Sequence, residues 1–151
     1  MKINRREFTI GTTALAICTC AGVSPQETEA AAAPSGPVDV GVLGDYPADG
    51  AFDKFAKSNR VMVVRQDKRL YATTATCTHR DCVVKCVQDE LRCPCHGSRY
   101  DLAGVVKRGP AKSPLPRYAI TLNSAGRIVV DPGQRFEQSQ WDDPRSFIKM
   151  G

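Results

Sequence analysis

From Val38 onward, hydrophobic and polar positions change over in short runs bounded by Gly, Pro, Asn and Asp, and hardly anywhere recur at helical spacing. The densest run is Arg-Val-Met-Val-Val-Arg at 60–65, with three of its four inner positions β-branched, which is strand chemistry. A second run, 68–76, follows at once, and Asp67-Lys68 reads as the hairpin turn between them. Residues 38–43 predict a first strand. Residues 90–93 and 98–106 predict another pair, the second carrying a turn at Leu102-Ala103-Gly104. Residues 117–123 and 127–131 form a hairpin around Ser124-Ala125-Gly126, and 51–58 supply one or two helical turns. Short strands, Gly and Pro turns and little helix predict an all-β fold, a small antiparallel barrel or sandwich. Residues 34–135 form that domain. Residues 136–151 are polar with scattered Phe136, Trp141 and Phe147, and form a C-terminal tail whose last ten residues are expected to be poorly ordered.

Composition narrows the function. The 151 residues suffice for one domain with a core, and the 25% of charged residues is ordinary for a globular protein. The formal net charge is +5, and it belongs to the folded part, because Lys2, Arg5 and Arg6 cancel Glu7, Glu27 and Glu29 in the first 33 residues. No basic run exceeds two residues and no aromatic residues alternate with the charges, which argues against nucleic-acid binding.

Residues 1–33 read as a targeting segment: a charged start with Arg5-Arg6, an uncharged stretch from Phe8 to Pro25, then an alanine-rich end. Arg5-Arg6 just before Glu7-Phe8 resembles a twin-arginine export signal, which implies a periplasmic protein or one at the outer face of the cytoplasmic membrane. Cleavage after the small residues at 30–33 and retention as a membrane anchor both remain open. Cys18 and Cys20 are passengers in this segment, and 25–37 is a Pro-, Ala- and Ser-containing linker.

The remaining five cysteines and both histidines concentrate in or near two stretches, Cys-Thr-His-Arg-Asp-Cys at 77–82 and Cys-Pro-Cys-His-Gly-Ser at 93–98. Each offers thiolate and imidazole together. A Cys₂His₂ set could bind zinc, but zinc fingers pair cysteine with cysteine and histidine with histidine along the chain. One Cys and one His from each stretch suits a [2Fe–2S] centre in which two cysteines hold one iron and two histidines the other.

The two boxes, in this order and with their extra cysteines, resemble the Rieske iron–sulfur family, in particular its high-potential branch found in cytochrome bc-type complexes, over roughly residues 38–131. The resemblance implies a β-domain with a cluster-binding subdomain of two loops and one [2Fe–2S] cluster. It implies Cys77, His79, Cys93 and His96 as ligands, the histidines outermost. It further implies a disulfide between Cys82 and Cys95; Cys86, left over, is read as a free thiol or as a competitor for Cys95. Ser98 and Tyr100 match hydroxyl positions that tune the cluster, and Gly109 and Pro110 a loop that covers it. Where quinol-oxidising members usually carry Leu-Gly, this chain carries Arg80-Asp81, and the large insertion of respiratory members is missing.

The function so implied is exported, high-potential electron transfer. Electrons come from quinol in a cytochrome bc-type complex, through a cytochrome b-type subunit, and go to a cytochrome c-like acceptor. The chain would act as a redox subunit rather than a self-contained enzyme. The alternative is the Rieske small subunit of a periplasmic oxidoreductase of the arsenite-oxidase type, bound to a larger catalytic subunit. A self-contained oxygenase is excluded, because a second iron site needs histidines beyond the two in the boxes.

Overall fold

Residues 61–64 are hydrophobic without interruption because the strand they form is buried on both faces. A computed structural model describes residues 36–151; the signal-or-anchor segment, with Arg5, Arg6, Cys18 and Cys20, lies outside the described residues. Within them the chain runs β1 (Val38–Val42), β2 (Gly50–Phe52), a single helical turn α1 (Ala56–Asn59), β3 (Val61–Gln66) and β4 (Arg69–Thr74). It continues through β5 (Lys85–Val87), β6 (Glu90–Arg92), β7 (Arg99–Tyr100) and β8 (Val106–Arg108). It closes with β9 (Arg117–Leu122), β10 (Arg127–Phe136) and β11 (Ile148–Lys149). A seven-stranded antiparallel sheet has the order β1-β10-β9-β4-β3-β2, with β11 also on β4, and a separate four-stranded sheet has the order β5-β6-β7-β8.

Strands alternate faces with period two. Val61 and Val63 therefore join Val38, Val40, Leu70, Ala72, Tyr118, Ile120, Ile128 and Val130 in the core of the large sheet. Met62, Val64 and Tyr71 point the other way, into a second core with Leu91, Tyr100, Leu115, Cys77 and Cys93. Full burial of each of the Val, Leu, Ile and Met side chains among them stabilises the fold by about 1.5–3 kcal/mol. The β3–β4 hairpin thus joins the framework to the small sheet.

The Asp67-Lys68 turn forms as expected: both residues take positive φ, 52° and 59°, the twist a two-residue hairpin needs. The helix expected at 51–58 is split, its first residues being taken by β2 against β3. Strand β10 runs past the expected end at 131 to Phe136. Its register on β9 shifts between Asp131 and Arg135, across Pro132, which has no N–H to give a ladder.

The tail differs from expectation. Ile148 and Lys149 pair with Leu70 and Arg69, Met150 N–H donates to Lys68 O at 2.7 Å, and Ser146 is fully buried. Buried Arg117 is stacked between the Tyr71 ring at 3.7 Å and the Trp141 ring at 4.4 Å. The scattered composition hid this, because the docking combines backbone hydrogen bonds, the cation–π contacts of Arg117 with Trp141 and of Arg69 with Phe147, and a few apolar side chains, Phe147, Ile148 and Met150, that pack on the two cores.

Burial pushes the hydroxyls of Tyr46 and Tyr71 up from 10.0 to about 12; the nearby carboxylates of Asp45 and Asp39 add to the effect at Tyr46, while Arg117 opposes it at Tyr71. The native state therefore keeps protons that the unfolded chain has lost between pH 10 and 12. Their contribution to stability is complete below pH 10 and is lost as pH rises through 12. Urea unfolding across this range is expected to show a falling midpoint, with a shallower fall in Tyr46→Phe/Tyr71→Phe; equal slopes would contradict it.

Candidate metal centre

Two short loops emerge from the second core, and each is closed by the same hydrogen bond. Cys77 N–H donates to the carbonyl of Cys82 at 2.9 Å, and Cys93 N–H donates to the carbonyl of Ser98 at 2.9 Å. In the first loop Cys82 N–H also donates to Arg80 O, and Val84 N–H to Ala75 O at 2.7 Å. In the second, Gly97 takes φ 75°, a left-handed conformation that favours glycine, and its N–H donates to Cys93 O at 3.1 Å. A disulfide between Cys82 and Cys95 joins the loops.

The closure sorts the side chains by depth. Cys77 and Cys93 are each 2% exposed and are not oxidised, whereas His79 and His96 are both exposed. The two imidazoles meet edge to face with ring centroids 4.9 Å apart. The Cys82, Cys93 and Cys95 sulfurs lie within 4.8 Å of one another, so the disulfide abuts Cys93; its own two sulfurs are bonded to each other and cannot serve as thiolates. Cys86 is free and half-buried, its thiol donating to Gln88 O at 3.3 Å, so it does not compete for Cys95.

Tyr100, fully buried on β7, reaches Cys77 from behind. Its hydroxyl accepts from Thr78 N–H at 3.2 Å and lies 3.3 Å from Cys77 Sγ and 3.1 Å from Thr78 Oγ1. Burial and then the Cys77 contact push this hydroxyl up to about 12. Burial also pushes the Cys77 thiol up, but hydrogen bonds from the Tyr100 hydroxyl, the backbone N–H of His79, the Cys93 thiol and the backbone N–H of Arg80 together bring the thiol below its ordinary value. Cys93 goes the other way, raised by burial and then by the neighbouring Cys77.

A third segment ties the loops from the side. Ser98, fully buried, accepts from Ala111 N–H at 3.0 Å, just past the cis Gly109–Pro110 bond, leaving its own proton free. Thr78 donates from Oγ1 to Ser113 O at 2.7 Å. Arg60 donates to Asp81 O at 3.0 Å from 21 residues away and steadies the first loop. Sequence reasoning missed Thr78, Ser113 and Arg60. They act through backbone partners, and their residue types carry no signal. Arg80 and Asp81 are exposed and form no ion pair with each other among the described residues.

Two buried thiols and two surface imidazoles, brought together by joined loops, fit the donor set of a [2Fe–2S] centre with mixed ligation. A family model described as Rieske [2Fe-2S] domain matches residues 36–119. The cytochrome b6-f complex iron-sulfur subunit of Chlorobaculum tepidum is 36% identical over 94 residues, covering 60% of this chain and 51% of that protein. The chloroplastic cytochrome b6-f complex iron-sulfur subunit of Arabidopsis thaliana is 40% identical over 75 residues, covering 47% and 33%. This chain therefore matches only a third to a half of the length of these curated relatives. The crystal structure of the plasma membrane Rieske protein PetC3 from Synechocystis PCC 6803 superposes with a TM-score of 0.50 at 33% identity, over 62% of this chain and 97% of that one. The loops, their disulfide and these relatives together establish that the chain belongs to the Rieske [2Fe-2S] family, in its cytochrome bc-complex branch.

Proposed function

We propose that this protein is an exported, high-potential Rieske electron-transfer subunit that takes electrons from quinol in a cytochrome bc-type complex and passes them to a cytochrome c-like acceptor. The observation that carries this reading is the depth order of the site: buried thiols behind, exposed imidazoles in front, and a disulfide joining the loops. Cys77 and Cys93 would hold one iron, and His79 and His96 the other through Nδ1. When bound, the cluster supplies one-electron redox chemistry, at a potential raised by neutral imidazoles in place of two thiolates.

The protein's own groups account for the rest. Exposed His79 and His96 would present Nε2 to a donor hydroxyl, accept its hydrogen bond and carry away its proton. Tyr100 would donate to Cys77 Sγ and Ser98 its free proton toward the cluster, both favouring the reduced state. Gly109 and Pro110 lie in the segment that would cover the third side. The disulfide is in keeping with an oxidising compartment, as Arg5-Arg6 would require. Among the described residues no helix is long and apolar enough to cross a membrane.

The test is a redox titration of the holoprotein followed by electron paramagnetic resonance at several pH values. A rhombic [2Fe–2S] signal is expected, with a potential near the upper end of the Rieske range, roughly +300 mV, falling as pH rises. Tyr100→Phe is expected to lower that potential while keeping the signal. A value near or below about −150 mV would overturn the quinol reading.

A further inference from the structure

A row of four cations crosses the outer face of the small sheet and ends against the cluster loops. Lys85 lies opposite Arg92, Arg92 opposite Arg99, and Arg99 opposite Arg108. Directly opposed residues in antiparallel pairs share a face, so the four side chains emerge together. The alternate row, Cys86, Leu91, Tyr100 and Val106, packs into the core behind. Lys85 and Arg108 are exposed, and the side chains of Arg92 and Arg99 are 34% and 40% exposed. With His96 they line a hollow of about 440 Å³.

This row is not settled by its own sheet. Like charges placed opposite one another across a sheet are destabilising. The one carboxylate that pairs with the row among the described residues is Glu90, 3.1 Å from Arg92 and 3.9 Å from Arg99. Four cations against one carboxylate leave a net positive strip, where any polar β-former would satisfy the strand pairing.

We propose that this strip docks the carboxylate-rich face of a protein redox partner and holds that partner beside His96. The proposal rests on the electron-transfer reading above. Strands lie about 4.8 Å apart, so the row extends about 14 Å, longer than one phosphate or carboxylate can span and suited to carboxylates spaced over a protein surface. Three of the four cations are arginines, whose planar forks grip carboxylates through two hydrogen bonds. Such a strip orients an encounter and loses its pull as salt rises.

The full-length holoprotein is titrated with a fluorescently labelled polyglutamate peptide at low and at physiological salt. The variants are Arg99→Gln/Arg108→Gln and, as a control with equal charge loss elsewhere, Lys57→Gln/Lys149→Gln. Wild type and control are expected to bind, and either the salt or the arginine replacements should weaken binding about tenfold. Arg108→Gln alone, at the exposed end of the row, replaces the double variant if that fails to fold. No binding at low salt, binding untouched by the arginine replacements, or equal loss in the control overturns the proposal. Tighter binding of tripolyphosphate than of the peptide, through the same arginines, overturns the protein partner in favour of a small polyanion. The titration reads binding alone, so it can fail while the redox titration succeeds, and the reverse.

Discussion

Cys93→Ser is expected to yield a colourless protein with no [2Fe–2S] resonance and with iron at background level. Cys93 is 2% exposed, its sulfur is not oxidised, and its backbone closes the second loop through Ser98. Serine keeps the size and the loop but does not supply a thiolate. Loss of a group that merely supports a ligand costs about 10–100-fold in metal affinity, so loss of a proposed ligand should cost more. Cys86→Ser provides the contrast, because that thiol donates to Gln88 O within its own turn and packs against the core behind the small sheet. It should keep full colour and an unchanged resonance. Equal cluster content in the two variants, measured by iron analysis and visible absorption, would remove Cys93 from the ligand set.

The second large effect is expected from Cys82→Ala/Cys95→Ala. The disulfide spans 13 positions, and closing a loop of about 15 residues restricts the unfolded chain by about 3 kcal/mol. Domains of this kind are stable by about 5–15 kcal/mol in total, so the loss is a large fraction. Each loop would retain its own closing bond, Cys77 N–H to Cys82 O or Cys93 N–H to Ser98 O, but no covalent link would hold the two loops together. The urea midpoint should fall, and cluster loss during incubation with a chelator should quicken. Reductant should shift the wild-type midpoint toward that of the variant and leave the variant's own unchanged. A variant as stable as wild type, with equal cluster retention, would show that the three-segment hydrogen-bond frame suffices.

Much of the site was legible because its chemistry is local. Cysteine and histidine at 77, 79, 93 and 96 are costly residues for a surface loop, and their spacing excludes most other uses. The resemblance to Rieske proteins carried the Cys82–Cys95 pairing, which the structure bears out. The Asp67-Lys68 turn and the strand at 61–66 were legible for similar reasons, since turn chemistry and β-branching act within a few residues. Less was legible where the signal is weak or distant. Strands β5, β8 and β11 have two or three residues each, too few for alternation to stand out. The row from Lys85 to Arg108 reads in the chain as four scattered charges, and only the register of three strand pairs aligns it.

The amino-acid sequence alone determined what this protein can bind, because donor atoms and their order along the chain are covalent facts. It determined the all-β character too, because φ preference and side-chain branching are properties of single residues. Tertiary structure decided which donors are buried and which face solvent, and that Tyr100 and Thr78 condition Cys77. It also decided that a polar tail docks on β4 and that four charges form one strip. Each of these depends on distances between residues far apart in the chain, and such distances exist only once the sheets have paired.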